Sequence, residues 1–486
     1  MSEHKIPSLI PNIIGGKECP AEGGESFEKY SPHTGQILFR AARSRRKDVE
    51  AAIAAAHHAQ VAWATTPAVQ RGFILHQACN YLEQHAEEIA RVVALETGKS
   101  LKDAKGETAG AIALGRFYAG EGQRLYGRTT TSGTPDKYAM TVRQPCGIAG
   151  LIVAANTPIA NVAWKVFPAL ICGNAAILKP PEDAPATGWL FASLLEEAGL
   201  PKSVLNVVQG LGNEAGAAIV ESPGVDVISF TGSTKVGRWI AETAGKRLAK
   251  ISLELGGKNP FVVCDDAHLP DAVKWACLSA FSNAGQRCAA ASRIIIFESV
   301  YDAFVKQLID ATKALKVGPG DGDDLGPVIN ARQMENILTA VTKAQGEGAR
   351  VLCGGQRLPG NGYYIAPTII EASKENDTLA ETELFGPVTV LYKAKDFHHA
   401  LAMANDSPYG LTACIHTKNM HRAQHFASQV KSGVAVVNAG TYGSEPHMPF
   451  GGLKQSGNGS REPGTEALDI YSELKDIYYT VNRDLL

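Results

Sequence analysis

Three side chains, far apart in the chain, carry the chemistry to act together on one carbonyl group. Cys288 stands in "SNAGQRCAAASRIIIF", between a glycine-containing loop and a run of β-branched residues. A thiolate there is a nucleophile able to form and release an acyl group. Free cysteine is equally among the residues most often buried as a small hydrophobe, and this stretch alone leaves both readings standing. Glu254 lies in "ISLELGGK", where strand alternation sets Ile251, Leu253 and Leu255 on one face and Ser252 with Glu254 on the other. A carboxylate in so apolar a strand is costly unless a salt bridge pairs it or a raised pKa is its purpose. Partial burial would bring it toward neutrality, where a general base works. Asn156 follows the apolar run in "GLIVAANTP". Its amide can donate to a developing oxyanion, although asparagine at a strand end also suits a plain turn.

Two further stretches have the character of a phosphate and ribose site. In "VISFTGSTKVG" a strand runs into Gly232, and a helix is predicted to begin near Ser233. Such a junction points backbone N–H groups and the positive helix end outward, toward an anion. The glycines at 232 and 237 depart from G-x-G-x-x-G spacing and would also serve a purely structural turn. In "AILKPPEDAP", Lys179 closes a strand at the edge where parallel sheets bind ligands, and Glu182 follows three residues later. A solvated charged loop is the competing reading of that segment.

These groups need a scaffold that gathers strand ends. Residues 46–120 carry apolar positions at three- and four-residue spacing and read as helices, the second ending at Gly98. From Gly147 the pattern becomes strand, helix, strand: "GIAGLIVAA", "NAAILKP", "VLNVVQG" and "VDVISFTG" are short and apolar throughout. Strands buried on both faces look like this, so a doubly wound parallel α/β sheet is expected. A second series, "NPFVVCDD", "SRIIIFES", "RVLCGG", "VTVLYKA", "GLTACIHT" and "GVAVVN", predicts a second sheet beyond the glycine pair of "KISLELGGK". Residues 129–147 and the terminal "LKDIYYTVNRDLL" alternate without helical spacing and read as exposed β-arms, which commonly pair between subunits.

Composition narrows the partners. With 45% apolar and 20% charged residues, the 486-residue chain has the balance of a soluble globular protein of two or three domains. A formal charge of -2 offers no reason to expect nucleic acid or an anionic membrane. The start has no apolar stretch of signal-peptide length, and no run approaches the roughly 20 residues that span a bilayer. Nine cysteines without a CxxC pair suggest neither a disulfide framework nor a zinc site, and the 13 histidines lack metal-ligand spacing. No metal is expected, and a reducing cytoplasm is the expected location.

Taken together, these motifs resemble the NAD(P)-dependent aldehyde dehydrogenase superfamily over about residues 25 to 475. "LELGGKNP" matches the family's glutamate signature and "NAGQRC" its cysteine signature, 34 residues apart (288 minus 254). "GNAAILKPPE", "FTGSTKVG", "ELFGPV" and "MPFGGLKQSGNGSREPG" follow in the family's order. The resemblance implies a Rossmann-like cofactor domain over 1–122 and 147–255, and a catalytic domain over 256–457. An oligomerisation arm over 123–146 and 458–486 would join subunits into a homodimer or homotetramer. It further implies Cys288 as nucleophile, Glu254 as general base, Asn156 as oxyanion donor and Lys165 as a proton-relaying lysine. Lys179 and Glu182 would hold the adenosine ribose, with Ala154, Pro180, Leu255 and Gly256 lining the cofactor cleft. Gly212 would lie near the adenine, while Gly232, Ser233 and Gly237 meet the pyrophosphate. Glu383 would hold the nicotinamide ribose and Phe385 line the ring pocket. Glu182 favours NAD by repelling a 2′-phosphate, although Lys179 pulls toward NADP.

The implied reaction oxidises an aldehyde to a carboxylic acid. The Cys288 thiolate adds to the carbonyl, hydride leaves to the nicotinamide, and water activated by Glu254 hydrolyses the resulting thioester. An acylating semialdehyde dehydrogenase, releasing the thioester to coenzyme A, is the competing enzyme; Glu254 speaks against it. A non-catalytic protein on the same scaffold would have no use for the three groups together. The chain departs from the family pattern at "AANTP", where Ala155 and Thr157 replace two bulky aromatics. That predicts a roomier or more polar pocket beside Asn156. Asn161, Trp164, Arg287, Glu445 and His447 are the candidates for its lining.

Overall fold

The computed structural model describes residues 4–372 and 378–485. Five parallel strands form the heart of the first sheet: β1 (Ile148–Ile152), β2 (Ala175–Lys179), β3 (Leu205–Val207), β4 (Val227–Thr231) and β5 (Lys250–Glu254). Their order is β5-β4-β1-β2-β3, and two antiparallel N-terminal strands, Asn12–Ile14 and Lys17–Cys19, complete the seven. The chain winds outward from β1 to β3, then crosses back to β4 and β5 on the other side. Strand order therefore reverses between β1 and β4, the place where an open parallel sheet leaves a crevice. Helices α1 (Pro158–Ile171), α2 (Pro185–Glu197) and α3 (Thr234–Gly245) join these strands. Both α1 and α2 start on a proline, whose missing N–H costs a helix nothing in its first turn.

The second sheet contains β6 (Asn259–Val263), β7 (Ala291–Phe297), β8 (Arg350–Cys353), β9 (Thr368–Glu371), β10 (Val388–Ala394), β11 (Thr412–His416) and β12 (Val434–Val437). They lie in the order β8-β9-β10-β7-β6-β11-β12. All neighbours are parallel except β8, which runs antiparallel to β9. Strand β9, four residues long and directly following Pro367, was not among the expected strands.

The helical region matches expectation with one difference. The pattern over 68–98 is two helices, Ala68–Gln84 and Ala86–Thr97, broken at His85 (φ −104°, ψ 13°). There the His85 ring bonds Glu88 Oε2 at 2.8 Å, a local side-chain contact that suits the start of a new helix. The second piece ends at Gly98 in the left-handed region, with φ 77°. The two expected arms join within one chain: Ser472–Thr480 pairs antiparallel with Lys137–Pro145, which pairs with Thr129–Thr131. Before reaching that sheet, the C-terminal segment buries Glu462, Ala467, Leu468, Ile470 and Tyr471. No described helix is long and apolar enough to cross a membrane.

Candidate active site

Parallel strands deliver their C-terminal ends to one edge, and the first sheet uses this to collect side chains. Register sets Ile152 beside Lys179 and Phe230, and Thr231 beside Glu254. The residues just past these ends are Ala154 and Asn156 after β1, Pro180 and Glu182 after β2, and Gly232 with Ser233 after β4. The second sheet contributes the loop entering β7. Asn259, first residue of β6, donates its amide to the carbonyls of Cys288 (2.7 Å) and Ala290 (2.8 Å). Its own Oδ1 accepts from the Thr412 N–H at 3.0 Å, so three strands hold the cysteine loop in place.

Cys288 opens onto a cavity of ≈ 590 Å³ whose wall also includes Asn156, Thr157, Trp164, Arg287 and Tyr442. Cys79, Cys172, Cys264, Cys277 and Cys414 are by contrast buried. Burial pushes the Cys288 thiol up to about 12, with Glu383 and Glu254 adding to the rise and the Ala289 N–H opposing it. The loop before it is strained: Asn283, Ala284 and Gly285 take φ of 55°, 52° and 68°. Left-handed backbone costs a non-glycine residue about 1–2 kcal/mol, so something must hold it. Asn283 and Gln286 do so reciprocally: Asn283 Nδ2 donates to the Gln286 carbonyl and Gln286 Nε2 to that of Asn283, both at 3.2 Å. A Cβ on Gly285 would lie 2.0 Å from the Gly386 carbonyl oxygen, so only glycine fits.

Glu254 is 4 % exposed. Neither of its carboxylate oxygens has a hydrogen-bond partner among the described residues. Burial first, then Glu462, holds its carboxyl well above the usual range, against the pull of Lys165 and Arg461. The salt-bridge alternative raised by its apolar strand therefore does not hold. Lys165 sits behind it, away from the cavity: Nζ donates to Glu462 Oε2 and Ser229 Oγ, each at 2.7 Å. Glu462 also accepts from Tyr471 OH at 2.9 Å. Sequence reasoning passed over Glu462; the only signal was one acid inside the glycine-rich "GSREPG" block.

Asn156 is held from every side. Its Nδ2 donates to the Gln286 carbonyl at 3.0 Å, which aims the amide at the cysteine loop. Its carbonyl accepts from Lys99 Nζ (2.8 Å) and Asn283 Nδ2 (3.1 Å). Asn161 does not line the cavity; it braces the turn by donating to Asn156 Oδ1 and Thr157 Oγ1 at 3.3 Å and to the Ala154 carbonyl at 3.1 Å. Lys99 also pairs with Glu107 Oε2, while Glu107 Oε1 accepts the Ile159 and Ala160 N–H groups at the start of α1. Neither Lys99 nor Glu107 was anticipated.

On the crevice side, Lys179 is 2 % exposed and meets Glu182 Oε2 at 3.2 Å, which replaces the solvated-loop reading. Burial raises Glu182, but Lys179, a backbone hydrogen bond and Arg332 together keep the carboxyl below its ordinary value. A Cβ on Gly212 would stand 3.9 Å from Glu182 Oε2, placing that turn beside the pair. Ser233 caps α3, its Oγ accepting the Val236 N–H at 3.4 Å. A Cβ on Gly237 would strike Leu255, and one on Gly256 would lie 2.1 Å from Glu383 Oε2. Glu383 accepts the Gly257 N–H at 3.0 Å and is pushed up to about 7, chiefly by burial. Phe385 turns with φ 53°. A capped helix start at the end of a parallel strand, with carboxylates among the residues at the same sheet's edge, suits the phosphates and ribose hydroxyls of a dinucleotide. Of the expected substrate-side residues, Trp164, Arg287 and Glu445 line the cavity and His447 does not. His447 is exposed and lies 3.7 Å from Glu445.

The wound sheets and the thiol near a buried carboxylate agree with what known proteins show: the chain is an NAD(P)-dependent oxidoreductase. The aldehyde dehydrogenase family model matches residues 19–477, and the chain belongs to that family. It is 38% identical over 474 residues to the alpha-ketoglutaric semialdehyde dehydrogenase of Bacillus subtilis, covering 96% of this chain and 97% of that one. Among solved structures it is similar to an NADP dependent enzyme of E. coli, with TM-score 0.94, 34% identity and coverage of 97% and 98%. It is also similar to betaine aldehyde dehydrogenase from Staphylococcus aureus in complex with NAD+, with TM-score 0.95, 32% identity and coverage of 97% and 95%.

Proposed function

We propose that this aldehyde dehydrogenase works through a covalent thioester on Cys288, which water activated by Glu254 hydrolyses to the carboxylic acid. The observation that carries this is Glu254 itself: a carboxylate buried beside the nucleophile with both oxygens unpartnered. A fold keeps such a group only where a proton or a water must meet it. Release to coenzyme A would leave that carboxylate without a task.

The steps follow from the chain's own groups. The crowding that raises Cys288 keeps it a thiol at rest. Glu254 accepts the proton as the sulfur adds to the aldehyde carbon, and the Asn156 amide turns from the Gln286 carbonyl to the new oxyanion. A bound NAD(P)+ supplies the acceptor for the hydride that the aldehyde carbon gives up. Glu254 gives that proton up to solvent, then takes one from water, whose oxygen joins the acyl carbon, and passes it to the sulfur as it leaves. Net, one aldehyde and one water yield one acid, one hydride that carries off two electrons, and one proton released to solvent. Lys179 and Glu182 would hold the adenosine ribose, Ser233 the pyrophosphate and Glu383 the nicotinamide ribose. NAD is favoured because Glu182 presents its charge where a 2′-phosphate would sit.

The two large sheets are read as cofactor and catalytic domains divided near residues 254–257. The arm sheet leaves Tyr138, Leu474, Tyr478 and Tyr479 exposed, a surface suited to a second copy and hence to a dimer or tetramer. A cytoplasmic location agrees with the use of a free thiol. The test is NAD(P)H formation from a panel of aldehydes. Cys288→Ala should lower it by at least about 10⁴-fold, as removal of a nucleophile does elsewhere. Substantial dehydrogenation by that variant would refute the assignment.

A further inference from the structure

We infer that Arg287, laid over Tyr442, is an anion-reading subsite beside the nucleophile. Given the aldehyde oxidation proposed above, it selects an aldehyde that carries a carboxylate and rejects one that carries an ammonium group.

Arg287 directly precedes Cys288, and both lie on the wall of the same cavity. Its Nε is buried without a hydrogen-bond partner among the described residues, so part of its donor fork is unspent. The buried acid on that wall, Glu107, does not answer it: Lys99 and two backbone N–H groups occupy its oxygens. Asp103 and Glu445 also line the cavity, but both are exposed to water. The guanidinium carbon stands 4.7 Å from the Tyr442 ring centroid. That stack holds the cation in place while leaving its charge intact. Its planar fork matches a carboxylate at two points, which a lysine cannot do.

The same stack argues against the opposite charge. An ammonium group is read by open aromatic faces. Here the Tyr442 face already carries a cation, and Trp164 packs against Phe450, ring centroids 5.5 Å apart at 65°. A cavity of ≈ 590 Å³ leaves room for a second functional group beyond the aldehyde.

The test uses three aldehydes of one length and different charge: 4-oxobutanoate, its methyl ester and 3-aminopropanal. The carboxylate should exceed the ester in kcat/KM by roughly ten- to hundredfold, the range of a charge-assisted hydrogen bond, with the amine lowest. Arg287→Gln should erase that preference mainly through KM, and Arg287→Lys should restore part of it. Equal kcat/KM for carboxylate and ester in the native enzyme, or a preference that survives Arg287→Gln, overturns the subsite. Calorimetric binding of 4-oxobutanoate and its ester to Cys288→Ala separates it from turnover. Tighter binding of the carboxylate there supports the subsite even if no aldehyde yields NAD(P)H, which would refute only the dehydrogenase reading. Equal binding of the two refutes the subsite whatever the kinetics.

Discussion

Glu107 and Glu254 are both buried carboxylates near Cys288, and the protein treats them in opposite ways. Glu107, with its side chain 7 % exposed, is saturated by the Lys99 ammonium and two backbone N–H groups of α1. Glu254, 4 % exposed, has no hydrogen-bond partner at either oxygen among the described residues. Buried charge is stable when every lone pair is met and costly when none is. The difference separates architecture from chemistry. Glu107 ties Lys99 to the start of α1, and Lys99 in turn holds the Asn156 carbonyl. Glu254 is left wanting a proton.

The largest effect that sharpens this contrast is on turnover. Glu254→Gln should slow steady-state thioester hydrolysis by about 10²–10⁴-fold, the usual contribution of a general base. The first-turnover burst of NAD(P)H should slow as well, because Glu254 also takes the Cys288 proton. Sign follows from the raised carboxyl: the base works only when ionised, so kcat climbs with pH up to the folded pKa and then levels. That ascending limb should vanish in Glu254→Gln, and a retained limb would assign it elsewhere. Asn156→Ala should cost about 10²–10³ in rate, the loss of one oxyanion donor, measured as kcat at saturating aldehyde.

Stability should answer in the opposite order. Glu107→Gln breaks the buried pair and turns an amide toward Lys99, costing about 3 kcal/mol in urea unfolding. Activity should fall with it, because Lys99 loses its anchor. Glu254→Gln should leave unfolding stability unchanged or raise it by about 1 kcal/mol at pH 8. A carboxyl whose folded pKa is raised penalises the fold once the pH passes its unfolded pKa of about 4.3, so the gain should disappear below that pH. Equal destabilisation by the two variants would break the comparison.

Much of the site was legible because its chemistry demands particular residue types at strand ends. Cys288, Glu254 and Asn156 stand out in short apolar contexts, and the crevice residues follow from β2 and β4 running into helices. The misses have a common cause. Lys99 and Glu107 look like ordinary charges in "GKSLKDAKGET", and nothing local says that they meet Asn156. Glu462 enters beneath β4 and β5 only after the chain has built the second sheet. Asn161 seemed a lining residue, since helical position alone does not say that its amide turns back to Ala154, Asn156 and Thr157. His447 shares a loop with Glu445, yet only Glu445 reaches the cavity wall. The reversed direction of β8 was hidden too, because a short strand's pattern is the same read either way.

Local periodicity, glycine and proline placement, and the reactive side chains themselves are properties of the chain read a few residues at a time. They were enough to expect two wound sheets and to single out a thiol, a carboxylate and an amide. Whether an acid is saturated or orphaned, whether a lysine solvates or pairs, and which polar group faces the substrate depend on burial and on partners brought from distant segments. Those are decided only when the segments pack, because ionisation and hydrogen bonding answer to neighbours in space.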